Sequence, residues 1–207
     1  MIQFNYYFLK ARSFYMKYAL IGDIHSSIDD LQAVFHQIQT IPDTPTIIGM
    51  GDLYECKIGK KKVATLTAPL PLTDAQENST QFESMLTFPS IRGNQEERIM
   101  RATGLSLYNH LPLVMPIDGA RLIHGHQFEW SADWQPLTTH LPDDTLVFFG
   151  HSHDSVLYRK KKPQSFTFGE PILLEKKKYG INVGSVVDNR EWVLYDSSAR
   201  TITFMKA

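Results

Sequence analysis

Cysteine is almost absent from this chain, because Cys56 is the only one among 207 residues. A single cysteine cannot form an internal disulfide. It fits a reducing compartment, and we expect a cytoplasmic protein. The length is enough for one domain with a sizeable core.

Excess charge and long apolar runs are also lacking. The net charge is −1, so no global field attracts nucleic acid. No segment approaches the roughly 18 apolar residues of a membrane span. An apolar content of 43% and a charged content of 21% are ordinary for a globular protein. Neither a membrane nor a nucleic-acid partner is indicated, and the sequence leaves a homo-oligomer open.

Residues 1–15 carry none of the features of a secretory signal. The segment is aromatic but interrupted by polar residues, with no basic stretch ahead of an apolar run and no small-residue cleavage site. Met16 then opens a segment that leads directly into an apolar run over residues 18–21. We expect residues 1–15 to be an extension outside the core and residues 16–207 to form a single domain.

Five short segments end on residues that bind metals in proteins. Each follows an apolar, strand-like run, at residues 18–21, 46–50, 90–92, 120–123 and 145–149. The segments are Gly22-Asp23-Ile24-His25, Gly51-Asp52, Gly93-Asn94, His124-Gly125-His126 and Gly150-His151-Ser152-His153. Carboxylate and amide oxygens beside imidazole nitrogens suit Mn²⁺, Fe or Zn²⁺ better than Ca²⁺. Seven ligands are too many for one tetrahedral zinc and fit two metals that share a carboxylate.

In their order these segments resemble the calcineurin-like metallophosphoesterase superfamily, and the stretch at residues 182–186 resembles its small bacterial and archaeal phosphodiesterase branch. The resemblance covers residues 16–207. It implies an α/β fold, a four-layer αββα sandwich of two mixed β-sheets flanked by helices. It also implies a dinuclear metal-dependent phosphoesterase, in which a metal-bridged hydroxide attacks a phosphodiester or an activated phosphomonoester. The substrate is then a small phosphate ester or a nucleotide.

The same resemblance implies the metal ligands. Two divalent ions are implied, with Mn²⁺ expected and Fe, Zn²⁺ or Ni²⁺ as alternatives. The first ion would take Asp23, His25 and His153. The second would take Asn94, His124 and His151. Asp52 would bridge both, because an anion between two close cations offsets their repulsion.

The implied catalytic residues are Asp52, Asn94, Gln95 and His126. Gln95 is a departure, because many members of the superfamily follow Gly-Asn with a histidine that assists the leaving group. A glutamine amide donates a hydrogen bond but delivers no proton at neutral pH. The proton must come from His126, from water, or not at all, and a pocket-lining role for His126 stays open. Arg92 contacts phosphate or forms a structural salt bridge.

Two alternatives differ from this interpretation. A protein serine/threonine phosphatase or a dinucleoside-polyphosphate hydrolase would use the same metal chemistry, but both usually carry the histidine that Gln95 replaces. A retromer subunit keeps the resembled fold as a protein-interaction scaffold with a degenerate metal site. The complete set of ligand positions in this chain argues against a scaffold.

Periodicity predicts the elements between the motifs. Ser27 opens a capping box for a helix with Leu31, Val34 and Ile38 on its apolar face. Further helices are predicted over residues 74–86, 95–103 and 131–140, and we expect the lysines at 60–62 to face solvent. C-terminal strands are predicted over residues 156–159, 165–168, 172–174, 181–183, 192–195 and 201–204.

Overall fold

The computed structural model describes residues 16–77, 79–137, 146–175 and 178–207. The expected N-terminal extension lies outside these residues. The helices are α1 (Ile28–Gln39), α2 (Lys60–Val63), α3 (Leu72–Ala75), α4 (Thr80–Met85) and α5 (Asn94–Thr103). The strands are β1 (Lys17–Ile21), β2 (Thr46–Gly49), β3 (Glu55–Cys56), β4 (Gln76–Glu77), β5 (Val114–Ile117), β6 (Ala120–Ile123), β7 (Leu146–Phe149), β8 (Ser155–Arg159), β9 (Lys162–Gln164), β10 (Ile172–Leu173), β11 (Tyr179–Val183), β12 (Glu191–Asp196) and β13 (Thr201–Lys206). In this described part, no helix has the length and apolar character that a membrane span requires.

Two mixed β-sheets form the centre of the molecule. The first has the strand order β10-β13-β12-β1-β2, and in it β1 and β2 are parallel while the other pairs are antiparallel. The second has the order β5-β6-β7-β11-β8-β9, and in it β6, β7 and β11 run parallel. This architecture confirms the predicted fold class, two mixed β-sheets flanked by helices.

Side-chain alternation along β1 explains how the layers pack, because successive residues of a strand point to opposite faces. Leu20 lies in the apolar core between the two sheets, where it joins Phe148 of β7. Ile21 points to the opposite face and packs with Leu31 and Val34 of α1. The predicted apolar face of this helix is thus buried against the first sheet.

The outer face of the second sheet is covered by the segment that follows β6. Phe128 and Trp130 pack against Phe149, with ring centroids 5.4 Å and 6.0 Å from the Phe149 ring. Val147 and Tyr158 belong to the same apolar cluster. This aromatic segment matters for the site, because it leads to Trp134.

The helix predicted over residues 131–140 is wrong for residues 131–137, which form turns and one bridge, while residues 138–140 lie outside the described part. The amide of Ser131 donates to the carbonyl of Gln135 at 2.9 Å, and the amide of Gln135 donates to the Ser131 hydroxyl at 3.1 Å. A serine side chain that bonds nearby backbone in this way offers an alternative to the helix.

The helix predicted over residues 74–86 is also wrong in extent, because α3 and α4 are separated there by β4. β4 pairs with β3 in a two-stranded sheet, and the Gln76 side chain accepts a hydrogen bond from the hydroxyl of Tyr108. The Ser79 hydroxyl then accepts from the amide of Phe82 at 3.1 Å, which starts a new helix. Residues 165–168 form no strand, since Phe166 instead stacks on Phe204.

Candidate metal centre

Four of the five motifs follow parallel strands, two in each sheet. Asp23 and His25 follow β1, and Asp52 follows β2. In the second sheet, His124 follows β6, and His151 and His153 follow β7. Asn94 begins α5. Open α/β sheets bind ligands beyond the carboxyl ends of their strands, and here the loops from both sheets bring their side chains together.

Close approach of two of these loops requires a glycine. A Cβ placed on Gly93 would overlap the carboxylate and the amide nitrogen of Asp52. Gly51 has a φ of 90°, and a Cβ there would lie 2.8 Å from Nδ1 of His124. Both glycines therefore allow the backbone to approach the centre where no other residue would fit.

Five of the predicted ligands have a left-handed backbone. The φ angles are 49°, 49°, 51°, 75° and 66° for Asp23, His25, Asp52, His151 and His153. This region is unfavourable for residues with a Cβ and costs on the order of 1–3 kcal/mol each. Such conformations persist only where the surrounding structure enforces them, and they cluster at functional sites.

Asp23, His25 and His153 form the first of two groups that could hold a metal ion. One ligand atom from each lies within 4.8 Å of the others. Oδ1 of Asp23 is 3.9 Å from Nε2 of His25 and 3.5 Å from Nε2 of His153. The three atoms thus lie close enough together for one ion to contact all of them.

Asp52, His124 and His151 form the second group, again within 4.8 Å. Oδ2 of Asp52 is 3.3 Å from Nε2 of His124, and the amide oxygen of Asn94 is 3.1 Å from the same nitrogen. Oδ2 of Asp52 also lies 3.9 Å from Nε2 of His25 in the first group. One carboxylate oxygen therefore stands between the two groups.

Two buried polar atoms of the first group have no hydrogen-bond partner among the described residues. They are Oδ1 of Asp23 and Nε2 of His25. Buried polar atoms are nearly always satisfied, so an orphaned pair at one point calls for an explanation such as an ion. The donor set of carboxylate, amide and imidazole groups fits a divalent transition metal.

Hydrogen bonds orient several of these side chains. Nδ1 of His25 contacts the carboxylate of Glu55, and Nδ1 of His124 is 2.8 Å from the carbonyl oxygen of Met50. The amide of His151 donates to Oδ2 of Asp23 at 3.0 Å. Such contacts fix the ring orientation of a metal-binding histidine and leave its Nε2 for the ion. Glu55 thus supports His25.

Glu96 holds the loop that carries Asp52. Its carboxylate is fully buried. Oε2 accepts from the amides of Asp52 at 3.0 Å and Gly93 at 2.8 Å, and Oε1 accepts from those of Leu53 at 2.8 Å and Tyr54 at 3.2 Å. Burial and the charge of Asp52 raise the pKa of Glu96 to about 7, against the effect of these donors.

The electrostatics of the centre favour a proton on His124. Burial opposes that charge, but the carboxylates of Asp52 and Asp23 outweigh it and raise the pKa of His124 to about 10. Burial and the charge of His124 lower the pKa of His151 to about 4. A bound cation would compete with the His124 proton for the two buried carboxylates.

The polar groups of Gln95 contact other residues of the protein. Its side-chain oxygen accepts from the amide of Cys56 at 3.2 Å and from the guanidinium of Arg98. Its amide nitrogen is 3.5 Å from Nδ1 of His25. The backbone amide of Gln95 also donates to Oδ1 of Asp52 at 2.7 Å. These bonds make Gln95 a positioning residue for Asp52 and His25.

His126 and Arg92 lie beside the centre, outside the two groups. Nε2 of His126 is 3.5 Å from Oε1 of Glu97. Burial and the charge of His124 lower the pKa of His126. Arg92 donates to the side-chain oxygen of Asn109 at 3.1 Å and lies 3.9 Å from Glu97. Of the two roles left open for Arg92, its contacts favour the structural one.

Two clefts flank the centre, and both include Asn94 and His151. The basic cleft has a volume of about 620 Å³ and is lined by Lys60, Arg98, Arg101, His126 and Trp134, among others. The acidic cleft has a volume of about 530 Å³ and includes Glu55, Asp188 and the ligand candidates His25, Asp52 and His153. Lys60, which we expected only to face solvent, thus lines the wall of a cleft beside the metal centre.

Sequence reasoning missed Glu96 and the basic cleft. A glutamate three residues after Gly93 is the spacing of a capping box, and this signal could have indicated Glu96. No local signal marks the cleft, because its residues come from five separate segments.

Comparisons with known proteins identify the family of this chain. A family model described as the calcineurin-like phosphoesterase superfamily domain matches residues 16–195. The chain is 25% identical over 190 residues to uncharacterized protein MJ0912 of Methanocaldococcus jannaschii, covering 84% of this chain and 78% of the relative. It shares its fold with a metallophosphoesterase from Sphaerobacter thermophilus, with a TM-score of 0.62, 18% identity, and coverage of 93% of this chain and 88% of that chain. The chain therefore belongs to the calcineurin-like phosphoesterase superfamily and is a phosphate ester hydrolase.

Proposed function

We propose that the protein is a dinuclear metal-dependent phosphoesterase that acts on phosphodiesters and on phosphomonoesters with acidic leaving groups. The observation that carries the proposal is the pair of three-residue donor groups, with a carboxylate oxygen of Asp52 between them. The proposed ligands are Asp23, His25, Asp52, Asn94, His124, His151 and His153. The unpartnered Oδ1 of Asp23 and Nε2 of His25 support an ion at the first group.

Two divalent cations would supply Lewis-acid polarisation of the phosphoryl oxygens and activation of a water molecule for attack on phosphorus. The chain's own part is to hold these groups in place. Glu55 and the Met50 carbonyl orient His25 and His124, and Glu96 fixes the loop of Asp52. Mn²⁺ is the ion we propose, with Fe, Zn²⁺ and Ni²⁺ as alternatives that the mixed donor set also accepts.

Protonation of the leaving group limits the range of substrates. Gln95 is engaged by Cys56 and Arg98 and has no acidic proton. His126 lines the basic cleft, but burial and His124 lower its pKa, which favours the neutral imidazole. A neutral imidazole is a weak acid, and a good leaving group needs no acid. Diesters and aryl esters are therefore the substrates that the site favours.

The test is metal-dependent hydrolysis by purified protein. After chelation, reloading with Mn²⁺ should restore hydrolysis of bis(p-nitrophenyl) phosphate, and a panel of phosphomonoesters, phosphodiesters and nucleotides then ranks the substrates. Asp52→Asn should abolish the activity. Asp43→Asn is the matched control, because the Asp43 side chain is 88% exposed and pairs only with Lys17 among the described ion pairs.

The opposite outcome is equally clear. Wild-type protein that hydrolyses no ester of the panel with Mn²⁺, Fe²⁺, Zn²⁺ or Ni²⁺ at saturation would refute the proposal. Such a result would favour the alternative of an interaction scaffold on the same fold. Metal analysis of the same samples should give two ions per chain.

A further inference from the structure

The basic cleft has an aromatic wall beside the metal centre. Trp134 is 51% exposed, a large value for an indole. Its ring centroid lies 5.9 Å from that of Trp130 and 5.7 Å from that of His151, a proposed metal ligand. Trp130 is in turn anchored by a 2.9 Å hydrogen bond from its indole N–H to the carbonyl of Gly125. A flat ring stacked on Trp134 would therefore lie next to the proposed metal site.

Cations form the other part of this cleft. Lys60 comes from α2, and Arg98 and Arg101 come from α5. Nε of Arg98 is buried and has no hydrogen-bond partner among the described residues, although its Nη2 donates to Gln95. The lining also holds one carboxylate, that of Glu97, whose Oε2 lies 3.6 Å from Nη2 of Arg101. The lining therefore carries a net positive charge.

The acidic cleft on the other side of the metal centre makes the two clefts unequal for a negatively charged substrate. Glu55 and Asp188 lie in its lining and would repel an additional phosphate. A substrate arm with its own negative charge is thus directed to the basic cleft. The volume of about 620 Å³ is suitable for a small organic ligand.

We propose, on the basis of the proposed function, that the basic cleft binds the nucleoside arm of a nucleotide substrate that carries more than one phosphate. The base stacks on Trp134, an inner phosphate lies among Lys60, Arg98 and Arg101, and the outer phosphate lies at the metal centre. An aromatic face selects for a base without reading its identity, because every base has a π-face. The cations select for the second phosphate.

The test compares ligands that differ in one group. Adenosine 5′-(α,β-methylene)diphosphate has a base and two phosphorus groups and resists hydrolysis between them. Methylenediphosphonate lacks the nucleoside, and AMP lacks the second phosphorus group. Binding of each to the Mn²⁺-loaded protein is measured by calorimetry with free Mn²⁺ held constant, so the readout does not depend on turnover.

We expect the nucleotide analogue to bind about 5- to 150-fold more tightly than methylenediphosphonate. Trp134→Ala should bring this ratio close to one, and Trp134→Phe should keep most of it. Lys60→Gln combined with Arg101→Gln should lower the preference for the analogue over AMP by about fivefold or more. Lys162→Gln, in the exposed strand β9, is the control for charge alone.

An unchanged ratio in Trp134→Ala would overturn the proposal, as would a wild-type ratio near one. Both outcomes can be separated from failure of the proposed function by hydrolysis of bis(p-nitrophenyl) phosphate. A protein that hydrolyses this diester but shows no nucleoside preference keeps its proposed function and lacks the proposed subsite.

Discussion

Removal of one acceptor oxygen from Glu96 should destabilise the protein and weaken its metal site. In Glu96→Gln, one of the two carboxylate oxygens becomes an NH₂ group that faces two backbone N–H donors. Either orientation of the amide leaves two of the four donors unpartnered. At about 1–3 kcal/mol for each buried donor, the free energy of unfolding should fall by at most about 2–6 kcal/mol, because the neutral amide also relieves the burial and the repulsion by Asp52 that raise the pKa of Glu96.

The measurement is urea unfolding with metal chelated, because bound metal would itself stabilise the folded state. Metal affinity is then measured by titration, and we expect it to fall because the loop of Asp52 is released. Glu97→Gln is the control on the next position of the helix. Its partners Arg92, Arg101 and His126 lie 3.5–3.9 Å away and its side chain is 24% exposed, so we expect a change of at most about 1 kcal/mol.

Glu96→Gln with wild-type stability, to within about 0.5 kcal/mol, would refute this reasoning, since surface substitutions vary by that much. If the variant is destabilised but binds metal as the wild type does, only the inference that Glu96 supports metal binding through the loop of Asp52 is refuted. Glu96→Ala is an independent check of the loss of stability, because all four amide donors then lose the carboxylate as their acceptor.

Three further outcomes follow from the site. Metal affinity should rise at least about tenfold per pH unit between pH 7 and 9, because His124, with its pKa raised to about 10, must lose one proton to bind an ion. His25, whose pKa is also raised, can only add to this dependence, and His151, with its pKa lowered to about 4, has no proton to lose. Calorimetry that finds no pH dependence would contradict this. Alkyl monoesters should turn over about 10²–10⁴-fold more slowly than p-nitrophenyl diesters, because neither Gln95 nor His126 is a good acid; equal kcat values with chemistry rate-limiting for both would count against it. A chain that starts at Met16 should fold and retain activity, as unfolding and hydrolysis assays can show, and a folded but inactive product would mean that residues 1–15 belong to the site.

Much of the fold could be predicted because its signals are local. The apolar runs that form β1, β2, β6 and β7 alternate with polar turns. The helical spacing of apolar residues in α1 can be recognised from that segment alone. One error fell where a distant strand decided the outcome, and the other fell where a local hydrogen bond competed with the helix. Residues 76–77 pair with β3 rather than extend a helix, and Ser131 bonds Gln135 in a turn.

The sequence by itself determined the candidate metal ligands, because ligand type and motif order are properties of short segments. Only the tertiary structure decided that Asp52 stands between two donor groups and that Glu96 accepts from four amides, three of them in the loop of Asp52. It also decided that Trp134 and Lys60, 74 positions apart in sequence, line one cleft. The physical reason is that distances between loops depend on how two sheets pack, and no local pattern encodes that packing.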